Sequence, residues 1–235
     1  MRERRYTILS TAALPFERMG HIPDSIDIRV LPFTEIIPRT DERIKLQIAS
    51  LSTKNITAVF TSVHSVNFVS DLLPQKPNWK VYSIGNETSA AVGNRFASNS
   101  IVNFANNAFD LSKCLIADEV KEAVFFCGAQ RMDILPDELK KNGIELTELI
   151  VYDTGLTPRQ IADQPDAILF FSPTAVRSYF SINKLSAETA VFVIGKTTAA
   201  ALNPFKTGPV FISPKPDKAF VFKMATEYAA AHPIT

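Results

Sequence analysis

Eight side chains in this sequence are of types that could hold or transform an anionic small molecule: the hydroxyls of Ser62, Ser172, Thr197 and Thr198, the amide of Asn86, the cations Arg131 and Lys196, and the phenol of Tyr152. All but Tyr152 stand where a short apolar run gives way to a helical pattern. A helix start offers unpaired N–H groups and the positive end of the helix dipole, so a hydroxyl there can share an oxyanion with the backbone. The blander role for each hydroxyl is to cap its own helix. Arg131 presents a planar fork suited to carboxylates, and its alternative is an ion pair with Asp133 or another acid. Lys196 is equally readable as an exposed first-turn lysine. Tyr152 ends a long apolar strand pattern, where its phenol could donate a proton to a leaving group or simply pack its ring.

What lifts these positions above isolated candidates is a repeat. Ala58-Val59-Phe60-Thr61-Ser62-Val63-His64-Ser65-Val66 recurs as Ile168-Leu169-Phe170-Phe171-Ser172-Pro173-Thr174-Ala175-Val176, and Ile84-Gly85-Asn86-Glu87-Thr88 recurs as Ile194-Gly195-Lys196-Thr197-Thr198. Both pairs keep one offset, 110 positions, and Ser62 to Gly85 and Ser172 to Gly195 are each 23 positions apart. Two ordered motifs at a fixed spacing predict two similarly folded domains whose strand-end turns build a shared site. Gly85 and Gly195 lie outside any G-x-G-x-x-G or G-x-x-x-x-G-K-[ST] pattern, so nucleotide phosphate binding is unsupported, and each is read as allowing close approach of backbone to helix or ligand.

Strands are predicted at 6–10, 27–32, 58–61, 80–84, 101–104, 123–127, 146–152, 167–171, 190–194 and 210–212. Helices are predicted at 41–51, 64–73, 86–96, 111–120, 133–142, 174–180, 197–202 and 218–231. Most strand runs are continuously apolar, the pattern of parallel strands covered on both faces, and the alternation of strand with helix implies an α/β protein. The C-terminal third alone has too few strands for a covered sheet. Residues 1–33 and 156–235 are therefore expected to form one discontinuous domain, with 34–155 inserted as the other. Pro32, Pro38, Gly155 and Pro158 supply breaks at the crossings.

Composition narrows the remaining classes. The 235 residues are 46% hydrophobic and 21% charged with a net charge of +1, an ordinary globular balance that argues against a general nucleic-acid surface. Apolar runs are too short for a membrane span, and the stretch after the basic start at Met1 is too short for a secretory core, so a cytoplasmic protein is expected. Cys114 and Cys127 read as reduced core thiols, and His21, His64 and His232 are scattered, so no metal is expected. No G-x-S-x-G, Cys/His or paired-carboxylate pattern supplies a nucleophile.

Taken in order, Val59-Phe60-Thr61-Ser62, Ile84-Gly85-x-x-Thr88, Gly128-x-x-Arg131-x-x-Leu135-x-x-x-Leu139-x-x-x-Gly143, Val151-Tyr152-x-Thr154, Phe170-Phe171-Ser172-Pro173 and Ile194-Gly195-x-Thr197-Thr198-Ala199-x-Ala201-Leu202 resemble uroporphyrinogen-III synthases. The resemblance covers essentially the whole chain. It implies two flavodoxin-like parallel-sheet domains joined by a two-stranded linker, the first discontinuous. It also implies closure of the linear tetrapyrrole hydroxymethylbilane to uroporphyrinogen III, with loss of water and inversion of ring D and without cofactor or metal. Carried over by motif, Tyr152 assists departure of the hydroxyl, Ser62, Ser172, Thr197 and Thr198 meet substrate carboxylates, and Arg131 is an anchor or a structural residue. His64 and Asn86-Glu87 depart from the usual residues of the resembled family.

The competing expectation is a cytosolic two-domain binding or sensor protein for an anionic ligand. A nucleotide-dependent transferase is a third reading, and it lacks a phosphate loop. The enzyme reading carries a small-molecule substrate, no nucleic-acid or membrane partner, and a monomer.

Overall fold

The computed structural model describes residues 4–96 and 100–232, so Met1, at the head of the basic start, lies outside the described residues. Contacts divide the chain into two compact units, the first comprising Met1–Glu35 with Gly155–Thr235 and the second Ile36–Thr154. The chain changes unit twice, within strands β3 (Thr34–Pro38) and β8 (Glu145–Leu156).

Unit 1 holds a sheet of β1 (Tyr6–Ser10), β2 (Ile26–Val30), β9 (Ala167–Phe170), β10 (Ala190–Val193) and β11 (Val210–Ile212) in the order β11-β10-β9-β1-β2. Every neighbouring pair is parallel. Numbered within the unit, that is the order 2-1-3-4-5, with a reversal between β1 and β9. One face packs on α8 (Lys218–Ala231), through Ile8, Leu169 and Phe192 against Val221, Phe222 and Ala225. The other packs on α6 (Pro173–Phe180), through Leu9, Ile168, Phe170, Val191 and Val193 against Ala175, Val176 and Tyr179. Consecutive strand residues point to opposite covered faces, which is why the central β9 and β10 are apolar throughout.

Unit 2 holds β3, β8, β7 (Glu122–Gly128), β4 (Thr57–Phe60), β5 (Lys80–Ile84) and β6 (Ile101–Ala105) in that spatial order. From β7 outward through β4, β5 and β6, and between β7 and β8, the pairs are parallel. Here β4, β5, β6, β7 and β8 run 3-2-1-4-5, with β3 added at the edge, so this unit departs from the flavodoxin order expected for it. Its reversal falls between β4 and β7. Helices α1 (Glu42–Ser52), α2 (Val63–Leu72) and α3 (Asn86–Arg95) contribute to the core on one face, and α4 (Ala108–Ala117) and α5 (Ile134–Lys141) to that on the other.

The repeat has a direct structural meaning. Thr57, Ala58, Val59 and Phe60 pair with Lys80, Val81, Tyr82 and Ser83, and Ala167, Ile168, Leu169 and Phe170 pair with Ala190, Val191, Phe192 and Val193. The constant 23-residue spacing is thus the registry of two adjacent parallel strands joined by one crossover helix, built once in each unit.

Three sequence expectations shift. β3 went unread because Ile36-Ile37 is a two-residue apolar run closed by Pro38, a residue that an edge strand tolerates. Pairing with β3 then extends β8 beyond the expected 146–152. Helix α4 begins earlier than 111, because Asn107 caps it by accepting from the Asp110 amide at 2.9 Å, and it ends before Glu119, whose φ of 51° lies in the left-handed region.

Candidate functional site

In a parallel sheet every strand-to-helix junction lies at the same edge, and ligands bind there at the point where strand order reverses. In unit 2 that point lies beyond the ends of β4 and β7. A cavity of about 430 Å³ occurs there, lined by Thr61 and Ser62 after β4, Gly128, Gln130 and Arg131 at and after β7, Asn107 after β6, and Tyr152 and Thr154 of β8. Its size falls within the roughly 300–1,000 Å³ usual for small-molecule sites. Three of the predicted residues, Ser62, Arg131 and Tyr152, therefore share one cavity.

Ser62 is the N-cap of α2: its backbone is extended, φ −149° and ψ 137°, and its Oγ accepts from the His64 amide at 3.2 Å. The cap and the cavity wall are the same hydroxyl. Capping engages one lone pair of Oγ and leaves its O–H as a donor, so the two roles are compatible.

Tyr152 owes its direction to a break in the strand. Leu149, Ile150 and Val151 alternate between the two cores of unit 2, but Tyr152 packs on the same side as Val151. The register explains it: Cys127 opposes Ile150, and Gly128 opposes Tyr152, so β8 carries one extra residue at a bulge. The phenol ring then meets His64 and Phe68 of α2 edge-on, with centroids 6.0 and 6.1 Å away. The Tyr152 carbonyl accepts from the Ala129 amide at 3.0 Å, and the Thr154 carbonyl from the Gln130 side chain at 3.4 Å, which ties the turn after β7 to β8.

Arg131 is held rather than free. Its guanidinium forks onto Glu148, donating from Nη2 to Oε1 at 2.8 Å and from Nε to Oε2, and Nη1 donates to Asp133. Two carboxylates on one guanidinium leave the cluster with a formal charge of −1. Hydrogen bonding to Glu148 foremost, then to Asp133, holds the guanidinium well above its ordinary basicity, against the opposing effect of burial. Arg131 thus makes the ion pairs of its alternative reading, with Asp133 and a further acid, as an internal clamp of the turn between β7 and α5. Glu148, which completes the clamp, was not singled out in the sequence. Its place opposite Phe125 in the β7–β8 register carries no local signal.

Asn86 is exposed on the first turn of α3, and the cap position is Gly85, with no side-chain cap bond. Gly85 has φ +77°, so glycine is needed there for backbone conformation. Gly195 is extended, at φ 178°. A Cβ at either glycine would meet nothing within 4 Å among the described residues, so neither is a close-approach glycine toward the protein's own atoms. Gly128 is the glycine in unit 2 that is, its Cα lying under the Tyr152 ring.

The other predicted residues belong to unit 1. Ser172 caps α6, accepting from the Ala175 amide at 3.1 Å, with Pro173 in the first turn. Lys196 and Thr197 are exposed at the start of α7 (Lys196–Ala200), whereas Thr198 is 1% exposed and packs inward, which withdraws its hydroxyl from a solvent-borne carboxylate. Junctions after β9 and β10 are neighbours at the carboxyl edge of this sheet. A separate cavity of about 540 Å³ in unit 1, between Arg18 and the first turns of α8, contains none of the predicted residues. Cys127 is buried in β7 and its thiol is pushed up to about 11, chiefly by burial, so it serves as an apolar core group.

Parallel sheets covered by helices on both faces define a doubly wound α/β protein, with a largely apolar cavity, edged by a few polar groups, at the carboxyl edge of one sheet. A family model for uroporphyrinogen-III synthase HemD matches residues 16–221. The chain belongs to that family and is accordingly a cyclising lyase of porphyrin biosynthesis. Among solved structures, the uroporphyrinogen-III synthetase of Helicobacter pylori is similar, with a TM-score of 0.68 at 16% identity over 96% of this chain and 100% of that one. A mutant uroporphyrinogen III synthase of Thermus thermophilus gives 0.59 at 13% identity over 97% and 100%. At such identities these likenesses bear on the fold alone. No curated protein matches.

Proposed function

We propose that the cavity at the β4–β7 reversal is where this chain acts on hydroxymethylbilane, with Tyr152 as the proton donor to the departing hydroxyl. The single observation that supports this reading is the convergence of Ser62, Gly128 and Tyr152 on one ligand-sized cavity at the sheet's reversal point. A phenol re-aimed by a bulge into this cavity can lend its proton as the C–O bond of the hydroxymethyl group breaks, so that the oxygen leaves as water and the phenolate is reprotonated later. The azafulvene cation left behind is attacked by the substituted carbon of ring D, and rearrangement of the spiro intermediate closes the ring with ring D inverted. The reactivity resides in the substrate, which accounts for the lack of a nucleophile motif, and the protein contributes orientation.

The substrate's carboxylates need donors, and the clamp of Arg131, Glu148 and Asp133 is a poor one because its net charge is negative. Helix N–H groups and hydroxyls are better suited: Ser62 in unit 2, and Ser172, Thr197 and Lys196 in unit 1, with Asn86 as an exposed amide and Thr198 supporting its turn by packing. Arg131 then shapes the cavity wall. Two α/β domains joined by two strands, the first discontinuous, are the arrangement this reading adopts. The 2-1-3-4-5 order supports a flavodoxin-like unit 1. No helix among the described residues is long and apolar enough to cross a membrane, and a cytoplasmic monomer acting on a polyanionic small molecule is the form proposed.

Incubation with freshly made hydroxymethylbilane, followed by separation of the isomers, tests the assignment. The type III isomer is the expected product. Type I alone, the product of spontaneous closure, would mean that the chain binds its ligand without directing its chemistry.

A further inference from the structure

Gly128 sits where the strand-end chemistry of unit 2 converges, and its hydrogen is an unusual demand. A Cβ built there would stand 2.5 Å from Cε2 and Cζ of Tyr152 and 2.9 Å from its hydroxyl oxygen, closer than real Cβ atoms approach. Gly128 is buried at the end of β7 and its φ is not positive, so backbone conformation gives no reason for glycine here. The three atoms nearest such a Cβ all belong to the Tyr152 side chain. The contact arises at the bulge that turns Tyr152 toward His64 and Phe68, and those two rings bound the phenol on another side.

We infer that Gly128 is a positioning residue for the Tyr152 hydroxyl: with the β8 bulge it forms a slot of one-atom depth that fixes where the phenol meets the substrate. A methyl group in the slot must push the ring outward, because Ala129 and Gln130 tie the backbone of β8 to the turn after β7 and resist a shift of the strand. Moving the oxygen by about an ångström changes the geometry of proton transfer far more than it changes substrate binding. The inference rests on the proposed role of Tyr152, and its test separates the two.

Two double-mutant cycles on the full chain decide it. In the first, urea midpoints are compared for the parent, Gly128→Ala, Tyr152→Ala and the double variant. The added methyl should lower the midpoint when Tyr152 is present and leave it unchanged when the ring has been removed. Equal lowering in both backgrounds would mean that the methyl collides with something else and would overturn the inference. In the second, type III formation from hydroxymethylbilane is followed for Gly128→Ala, Tyr152→Phe and Gly128→Ala/Tyr152→Phe. Gly128→Ala should lose kcat to an extent comparable with Tyr152→Phe while KM stays within about two-fold, and the double variant should be no slower than Tyr152→Phe alone. Losses that multiply, or a Gly128→Ala enzyme at the parent rate, would overturn the positioning role. Parent-rate turnover by Tyr152→Phe would instead remove the acid role, with the stability cycle still reporting the contact.

Discussion

The two units reverse strand order at equivalent places and use the space beyond differently. In unit 2 the reversal between β4 and β7 opens into a cavity lined by Ser62, Arg131 and Tyr152. In unit 1 the reversal between β1 and β9 is crossed by hydrogen bonds: Ser10 and Thr11 are fully buried, Thr11 Oγ1 donates to the Leu169 carbonyl at 2.7 Å, and Ser10 Oγ to the Ala12 carbonyl at 2.6 Å. The Leu31 and Phe33 amides donate to the carbonyls of Ser10 and Thr11. A duplicated strand-turn-helix therefore places a serine-capped helix at the carboxyl edge twice, and what surrounds it depends on the strand across the reversal. β7 ends in a glycine under a tyrosine. β1 ends in two hydroxyls bonded to backbone.

If the units are separate cores, damage to one should stay local. Phe126 is fully buried in unit 2, stacked on Phe60 at 5.0 Å and on Trp79 at 5.3 Å, and Phe126→Ala should cost about 3–5 kcal/mol. Hydrogen exchange should then show lost protection in β4, β5 and β7 and little change in β9 and β10. Equal loss in both sheets would break the comparison.

The clamp ranks next. Arg131→Lys keeps the charge but cannot fork onto Glu148 and Asp133 together, and loss of those charged hydrogen bonds should cost about 1.5–3 kcal/mol. Type III formation should fall several-fold with it as the turn after β7 loosens. Parent activity with normal stability would show that the clamp does not shape the cavity.

Ser62 and Ser172 are matched caps in unmatched surroundings. Ser62→Ala and Ser172→Ala should each cost about 1 kcal/mol in a thermal or urea melt. Ser62→Ala should lower type III formation the more, because its hydroxyl also lines the cavity. Equal activity losses would give the two edges equal parts in substrate handling.

The smallest effect concerns acid. Arg39 donates to Asp153 from Nε at 2.7 Å and from Nη2 at 2.9 Å, and this hydrogen bonding, opposed by burial, holds the Asp153 carboxyl below its usual 3.8. A carboxyl depressed on folding stabilises at pH values above its unfolded value and loses that contribution as pH falls through the folded one. With both partners more than one-third exposed, about 0–1 kcal/mol is expected. Asp153→Asn should flatten stability slightly below about pH 4, the unfolded carboxyl value, and leave it otherwise unchanged. An unaltered acid limb would show the pair to be inert.

Much of this fold was legible because buried parallel strands write themselves as apolar runs, and because the repeat preserves strand registry. β9 and β10 stand out on this ground, as does the junction of Ser62. What was illegible depends on pairing across the sheet. β3 is visible only through β8, the partnership of Arg131 with Glu148 only through β7–β8 registry, and the direction of Tyr152 only through a bulge that no local pattern announces. Glycine follows the same rule: Gly85 and Gly195 draw notice by repetition, while Gly128 acquires its meaning from a residue on the next strand.

The most direct test of the central claim is the rate and isomer of product formed from fresh hydroxymethylbilane by Tyr152→Phe, which keeps the ring and removes the proton. Loss of a positioned general acid predicts type III formation slower by about 10²- to 10⁴-fold, with spontaneous type I product accumulating in its place. Type III product at the parent rate would contradict the account.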